Sequence, residues 1–238
     1  MLTFAQTMDA FWTLRSHDEP SVAAQKEITR AKAEVERAKT KLAAAQKESA
    51  TAQAAIDKLR SAERDDEAEL KRLEQRIAQL EAQSGSSTSE AQIKNVTAAL
   101  SKERGHLDEI ETRGLERLET IEMAMKGLAD LKKKQAVAQE ELAGLETQSN
   151  AIIASQQAII DQHTLARAPI AASIEEGLRE QYEVANRQNP GSAICWVKPG
   201  ECLGCAGELT QQHVSEVRAR NIVVRCPFCR RIQDVRAS

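Results

Sequence analysis

The sequence predicts a mostly α-helical protein: a long antiparallel coiled-coil hairpin followed by a small C-terminal β ribbon built around four cysteines. Three observations predict it. Apolar residues recur at heptad spacing over eight successive heptads from Ile28 to Leu80. Between residues 20 and 165 there is no aromatic side chain from which to build a compact core. Four of the five cysteines form two Cys-x-x-Cys pairs, Cys202 with Cys205 and Cys226 with Cys229. Residues 1–189 are therefore read as the helical hairpin, with a short N-terminal base helix and a tip near 84–89. Residues 190–238 are read as the ribbon.

Composition supports a thin, elongated molecule. Charged residues make up 29% of the chain, and the only aromatics are Phe4, Phe11, Trp12, Tyr182, Trp196 and Phe228. The net charge is −3, but residues 195–238 hold seven basic side chains against four acidic ones, which leaves −6 for the rest. That asymmetry places an anionic partner at the C-terminal end. The first fourteen residues contain no Lys or Arg, so no signal peptide is expected. No run approaches the ~20 apolar residues of a membrane span. The expected location is cytoplasmic, where paired cysteines bind metal more often than they form disulfides.

The elements follow in order. Leu2, Phe4, Ala5, Met8, Phe11 and Trp12 give a short base helix, separate from the heptad pattern that starts at residue 21. From residue 21 to 83, one seam position reads Ile28, Val35, Leu42, Ser49, Ile56, Glu63, Leu70, Ile77. Its companion reads Ala31, Ala38, Ala45, Ala52, Leu59, Asp66, Leu73, Leu80. The alanines admit a partner helix closely, while Glu63 and Asp66 are expected to loosen the seam. "SGSSTSE" ends this helix, and Ser87 with Glu90 has capping-box spacing for the next. The returning seam runs Ile93, Val96, Leu100, Leu107, Ile110, slips at Gly114, and resumes as Leu118, Ile121, Met125, Leu128. Such a slip is a stutter. It continues less regularly through Leu142, Leu145, Ile152 and Ile159. Folding back about residue 86 sets Lys58 near residue 114 and Lys71 near residue 101. The base helix is expected to cluster with Ile170, Ile174, Leu178 and Tyr182. Pro169 is expected to break or kink the returning helix, and Asn189-Pro190-Gly191 to end it.

Each Cys-x-x-Cys turn aims two thiolates at one point, and two such turns complete a tetrahedron around Zn²⁺. Cys202, Cys205, Cys226 and Cys229 are the expected ligands of one structural zinc, and the domain is read as a zinc ribbon. Strands are expected at Ala193–Val197, Ile222–Arg225 and Ile232–Val235. A redox dithiol needs a βαβ unit, which this sequence lacks. Four cysteines already saturate the metal, so His213 is not expected to bind it. Cys195 reads as buried packing, and His17, His106 and His163 as surface or seam residues. Four thiolates and one zinc ion bring −2, leaving the ribbon near +1. Arg218, Arg220, Arg225, Arg230 and Arg231 are the candidates for phosphate contact, with Trp196 or Phe228 as a stacking face.

The stretch from Pro169 to Tyr182, the strand before "CLGCAGEL", and "VVRCPFCRRI" resemble the bacterial C4-type zinc-ribbon, coiled-coil-hairpin family. Relatives usually carry Gly-Arg after the last cysteine, where this chain has Arg230-Arg231. The resemblance implies a non-enzymatic adaptor or regulator. It also implies partners such as the sigma-54 transcription factor, flagellar or type III secretion components, or messenger RNA. The leading expectation is a hairpin that docks protein and a ribbon that binds RNA, DNA or a second protein, with no membrane and no small-molecule substrate. A factor that enters the RNA polymerase secondary channel is the alternative, but the tip "SGSSTS" lacks the acidic residues such factors use. A zinc-dependent nuclease or thiol enzyme is the third reading; no Asp/Glu/His constellation supports it.

Overall fold

The computed structural model describes residues 2–86 and 89–235. The observed elements are α1 (Phe4–Ser86), α2 (Glu90–Ser173), α3 (Glu176–Gln188), β1 (Ile194–Lys198), β2 (Glu201–Cys202), α4 (Gln211–Ala219) and β3 (Ile232–Asp234). The fold class is the expected one: two very long helices and a small C-terminal sheet. Ser87, the expected capping residue, lies outside the described residues, as do position 88 of the tip and Arg236. No described helix is long and apolar enough to cross a membrane. The chain forms two compact units, one from the N-terminus to Glu36 together with Gly144 onward, the other Arg37–Ala143.

In the Arg37–Ala143 unit the helices run antiparallel. Lys41 meets Glu141 at 2.5 Å, and Glu81 meets Arg104 at 2.6 Å. The register differs from the expected one. Arg60 reaches Met125 and Glu69 lies near His106, so each partner sits several residues farther along α2 than a fold-back at residue 86 would place it. α1 stays helical through Ser86, and α2 begins at Glu90.

The seam on α1 is the expected one, with Leu42, Ser49, Ile56, Leu73 and Leu80 buried in this unit. Asp66, however, does not loosen it. Its carboxylate is 9% exposed and accepts hydrogen bonds from Arg113 at 2.7 Å and from Arg117. Arg117 also donates to the Ala62 carbonyl at 2.8 Å. Nor does the α2 seam slip at Gly114. Ile110, Gly114, Arg117, Ile121, Ala124 and Leu128 are buried or half-buried in unbroken steps of four and three. Leu118 and Met125 lie off that line and are exposed. Their apolar character had imitated a seam, while the true seam at this level is Gly and Arg. Consecutive four-residue steps do occur at Leu145, Ser149 and Ile153, within the other unit.

In that other unit the N-terminal segment is not a separate base helix. Thr3 and Gln6 cap each other reciprocally at 3.3 and 2.8 Å, and α1 then runs unbroken through Pro20. A proline inside a helix removes one hydrogen bond and crowds the preceding turn. Here the tertiary contacts concentrate at that turn. Asp18 accepts from Arg167 at 2.6 Å, from the Tyr182 hydroxyl at 2.8 Å and from Asn186 at 3.1 Å. Gly191, at φ 73°, presses its backbone against the same stretch: a Cβ there would stand 3.0 Å from Glu19 Cα. Pro169 likewise lies inside α2, and the break falls at Ile174, after which Glu175 caps α3 through the Gly177 and Leu178 amides.

The expected base cluster forms and extends into the sheet. Met8, Phe11 and Leu14 pack on Ile174, Tyr182 and Ala185, and also on Ala193, Ile194 and Ile232. Phe11 and Tyr182 lie 5.1 Å apart, centroid to centroid. Phe4, Trp12, Ile170 and Leu178 flank the cluster, but Leu2 and Ala5 are exposed. The sheet order is β2-β1-β3, with β1 antiparallel to β2 and parallel to β3. Ile222–Arg225 is not a strand: Ile222 is exposed, and only Arg225 bridges to Ile232. The unexpected helix α4 starts at Thr210, whose hydroxyl accepts from the His213 amide, and it buries Val214 and Val217.

The Asp66 pair carries a pH signature. The Arg113 hydrogen bond, aided by Arg117 and opposed by burial, holds this carboxyl below the usual carboxylate range. The folded chain therefore binds fewer protons here than the unfolded chain. The stabilisation is complete above the unfolded value of about 4 and is lost as pH falls through the lower folded value. Helix melting followed by far-UV circular dichroism is expected to fall below about pH 4 in wild type. Asp66→Asn should lack that component and melt lower than wild type at neutral pH. Equal melting of the two proteins at neutral pH would contradict the pairing.

Candidate metal centre

The two cysteine pairs are built alike. In the first turn the Ala206 amide donates to the Cys202 carbonyl at 2.8 Å. In the second the Arg230 amide donates to the Cys226 carbonyl at 3.0 Å. Both donors sit four positions after the first cysteine, and both are left-handed, at φ 58° and 63°. The Cys226 amide is tied in turn to the Arg231 carbonyl at 2.9 Å, and the Cys202 amide to the Gly207 carbonyl at 3.0 Å. Gly207 is required by close approach, because a Cβ there would stand 2.6 Å from the Phe228 ring.

These turns bring the four sulfurs together. All lie within 4.8 Å of one another, and none is in a disulfide. Cys202 and Cys229 are 4.0 Å apart, and Cys205 and Cys226 are 3.8 Å apart. Metal–sulfur bonds of about 2.3 Å at tetrahedral angles set sulfur–sulfur edges of about 3.8 Å. The cage therefore fits a tetrahedral metal ion. Cys202 and Cys226 are buried, Cys229 is half-buried and Cys205 faces solvent. Among the described residues no His, Asp or Glu joins this group.

The surroundings favour thiolate at Cys202. Burial works to raise its thiol, but hydrogen bonds from the Gly204 amide, the Gln233 side chain, the Cys195 thiol and the Cys205 amide outweigh it and bring it down to about 6. The buried Gln233 amide nitrogen has no other hydrogen-bond partner among the described residues. His213 bonds the Gln233 side-chain oxygen and so orients that amide. Burial pushes the Cys226 thiol up to about 12. A metal must displace that proton to bind. Cys195 is buried as expected, 3.6 Å from the Cys202 sulfur.

The five candidate arginines divide. Arg231 is a stitch: its guanidinium donates to the Ser192 carbonyl at 2.9 Å and to the Gly204 carbonyl at 3.0 Å. Arg225 donates to the Gln181 carbonyl at 2.7 Å, and Arg220 pairs with Asp234 at 2.9 Å. Arg218 and Arg230 are exposed and pair with no described residue. Of the two stacking candidates, Trp196 already stacks on Trp12 at 3.9 Å, whereas Phe228 is 63% exposed.

Several residues escaped the sequence reading. Asp234 is 1% exposed and accepts from the Trp12 indole at 3.0 Å as well as from Arg220. Asp18 and Gln233 are comparable hubs. Only the rarity of buried Asp and Gln marks them, and a single sequence does not reveal burial. His17 and His163, which read as surface or seam residues, face each other with their Nδ1 atoms 3.0 Å apart.

The left-handed Arg230 generates a prediction. A β-carbon in this conformation costs about 1–2 kcal/mol, which glycine avoids at an entropic cost of about 0.5–1 kcal/mol. Arg230→Gly is therefore expected to stabilise the ribbon by up to about 1 kcal/mol, read as a higher chelator midpoint for ribbon unfolding by tryptophan fluorescence. A lower midpoint would contradict the assignment.

No family model and no curated protein matches the chain. Its fold recurs in solved structures. The CT398 protein of Chlamydia trachomatis matches with a TM-score of 0.88 at 15% identity, over 98% of this chain and 100% of that one. A protein from Mycobacterium smegmatis matches with a TM-score of 0.70 at 18% identity, over 96% and 97%. The HP0958 protein of Helicobacter pylori matches with a TM-score of 0.66 at 15% identity, over 98% of each. At these identities the likeness is one of fold: two long helices and a small C-terminal sheet are shared along nearly the whole chain.

Proposed function

We propose that this chain is a non-enzymatic zinc-ribbon adaptor or regulator, whose helical hairpin docks a protein partner and whose ribbon contacts nucleic acid or a second protein. One observation carries the reading: four cysteine sulfurs, on two matching turns, form a tetrahedral cage. A Cys₄ set supplies all four ligands of a tetrahedral ion and leaves no position for substrate, so the metal's part is structural. Four sulfurs suit zinc or an Fe–S cluster, and two paired Cys-x-x-Cys knuckles favour zinc. The protein partners implied by the sequence resemblance, a sigma factor or a secretion or flagellar component, belong with the helices.

For the ribbon, the exposed groups narrow the contact to Arg218, Arg230 and Phe228. Two arginines and one ring support weak binding of RNA or single-stranded DNA without strong sequence choice. The three internally bonded arginines support the ribbon itself.

Two experiments test this reading. Elemental analysis of protein purified without added metal is expected to give about one zinc per chain. Cys226→Ser should lose the metal and the ribbon while far-UV helicity changes little, since Arg37–Ala143 is a compact unit with its own seam. Less than half an equivalent of zinc with all thiols titratable would sink the zinc assignment. Separately, a fluorescent single-stranded oligonucleotide should bind wild type at low salt. Arg218→Glu with Arg230→Glu should abolish that binding at unchanged zinc content, each lost contact removing about one unit of salt slope. Absence of binding by wild type would leave the ribbon as a protein-docking module.

A further inference from the structure

Between α1 and α2, beside the Asp66 pair, lies an open groove of ≈ 320 Å³ within the Arg37–Ala143 unit. Leu70 and the fully buried Ile110 line it, together with Leu115 and Leu118, which are 66% and 48% exposed. Leu115, Leu118 and Met125 recur at helical spacing along one face of α2, next to the seam but not part of it. Gly114 widens the groove: nothing stands within 4 Å of where its Cβ would be. Glycine there serves no close approach between the two helices.

The charge around this groove has one sign. Glu63, Glu67 and Glu111 line it, and no basic side chain does. Asp66 is already committed to Arg113 and Arg117. Residues 57–70 hold six acidic side chains against three basic, and residues 108–122 hold six against two, so this short segment is more negative than the whole chain at −3. An apolar floor with an acidic border selects a partner with the opposite pattern.

We propose that this groove is a docking site for a basic amphipathic helix of a protein partner, its apolar face seated on Leu70, Leu115 and Leu118 and its Lys or Arg residues facing the three glutamates. The proposal rests on the adaptor reading and gives it a surface. Helix-in-groove recognition seats anchors at i, i+3, i+4 and i+7 of the partner helix, and Leu115 and Leu118, one turn apart on α2, offer exposed apolar surface to them. A second copy of this chain is a poor occupant, because symmetric pairing sets the acidic border against itself.

The test uses the full chain and two fluorescent helical peptides of about 18 residues, one of Leu and Lys in amphipathic order, the other with Glu in place of Lys. The Leu/Lys peptide is expected to bind, to weaken as salt rises, and to lose about tenfold or more in affinity with Leu115→Gln/Leu118→Gln. Both leucines are exposed, so this variant should melt like wild type. Equal binding of the two peptides, or an unchanged affinity in the variant, would overturn the proposal. So would a wild-type dimer in sedimentation that the same two substitutions dissociate. A variant that still captures the same cellular proteins as wild type would sink the groove and leave the adaptor reading standing, whereas wild type that captures none would sink the adaptor reading itself.

Discussion

Four sulfurs within 4.8 Å of one another, none in a disulfide, are the constraint on which the ribbon depends. Thiolates at that separation repel unless a cation stands among them. The strands around them span five, two and three residues, too little sheet to hold itself together. The knuckle turns are therefore not ornaments on a stable sheet. Each turn closes through a backbone hydrogen bond, and the two meet at the four sulfurs. Two left-handed non-glycine residues, Ala206 and Arg230, show how firmly the turns are imposed.

What the cage does not hold, the long helix does. β1 and β3 share a hydrophobic cluster with the first turns of α1, and Asp234 ties Trp12 to Arg220 across it. Asp18 does the same for Arg167, Tyr182 and Asn186. Buried carboxylates are tolerable only when paired and hydrogen-bonded, and each of these has at least three polar contacts. Asp66 follows the same rule within the other unit. In all three places a buried carboxylate ties elements together, and Asp66 does so where the sequence reads as an interruption. That specifies register more sharply than further leucines would, because a shifted alignment strands the charge.

The sequence made the architecture legible because its two signals are strong and local. Heptad spacing from Ile28 to Leu80 and paired Cys-x-x-Cys turns need no knowledge of distant contacts. The errors share a cause as well. The N-terminal helix reads as separate because Pro20 precedes the heptad pattern, and Pro169 as a break or kink, yet α1 and α2 each contain their proline. Leu118 and Met125 were read as seam because they are apolar, while Gly114 and Arg117 occupy the true seam positions. α4 is not legible because it is only about two and a half turns long and lies between two cysteine pairs whose pattern points to strands. The clustering of the four cysteines is legible from their spacing alone. The residues that orient them, Gln233 and His213, are not, since their roles depend on contacts across twenty or more positions.

The central claim is that Cys202, Cys205, Cys226 and Cys229 hold one zinc ion in a closed, all-sulfur tetrahedron that organises the ribbon. X-ray absorption fine structure at the zinc edge, on protein as purified, tests it most directly. The account predicts a single shell of four sulfurs at about 2.3 Å, with no nitrogen or oxygen ligand. A shell containing nitrogen or oxygen, or a further metal–metal shell of the kind bridging sulfurs give, would contradict it.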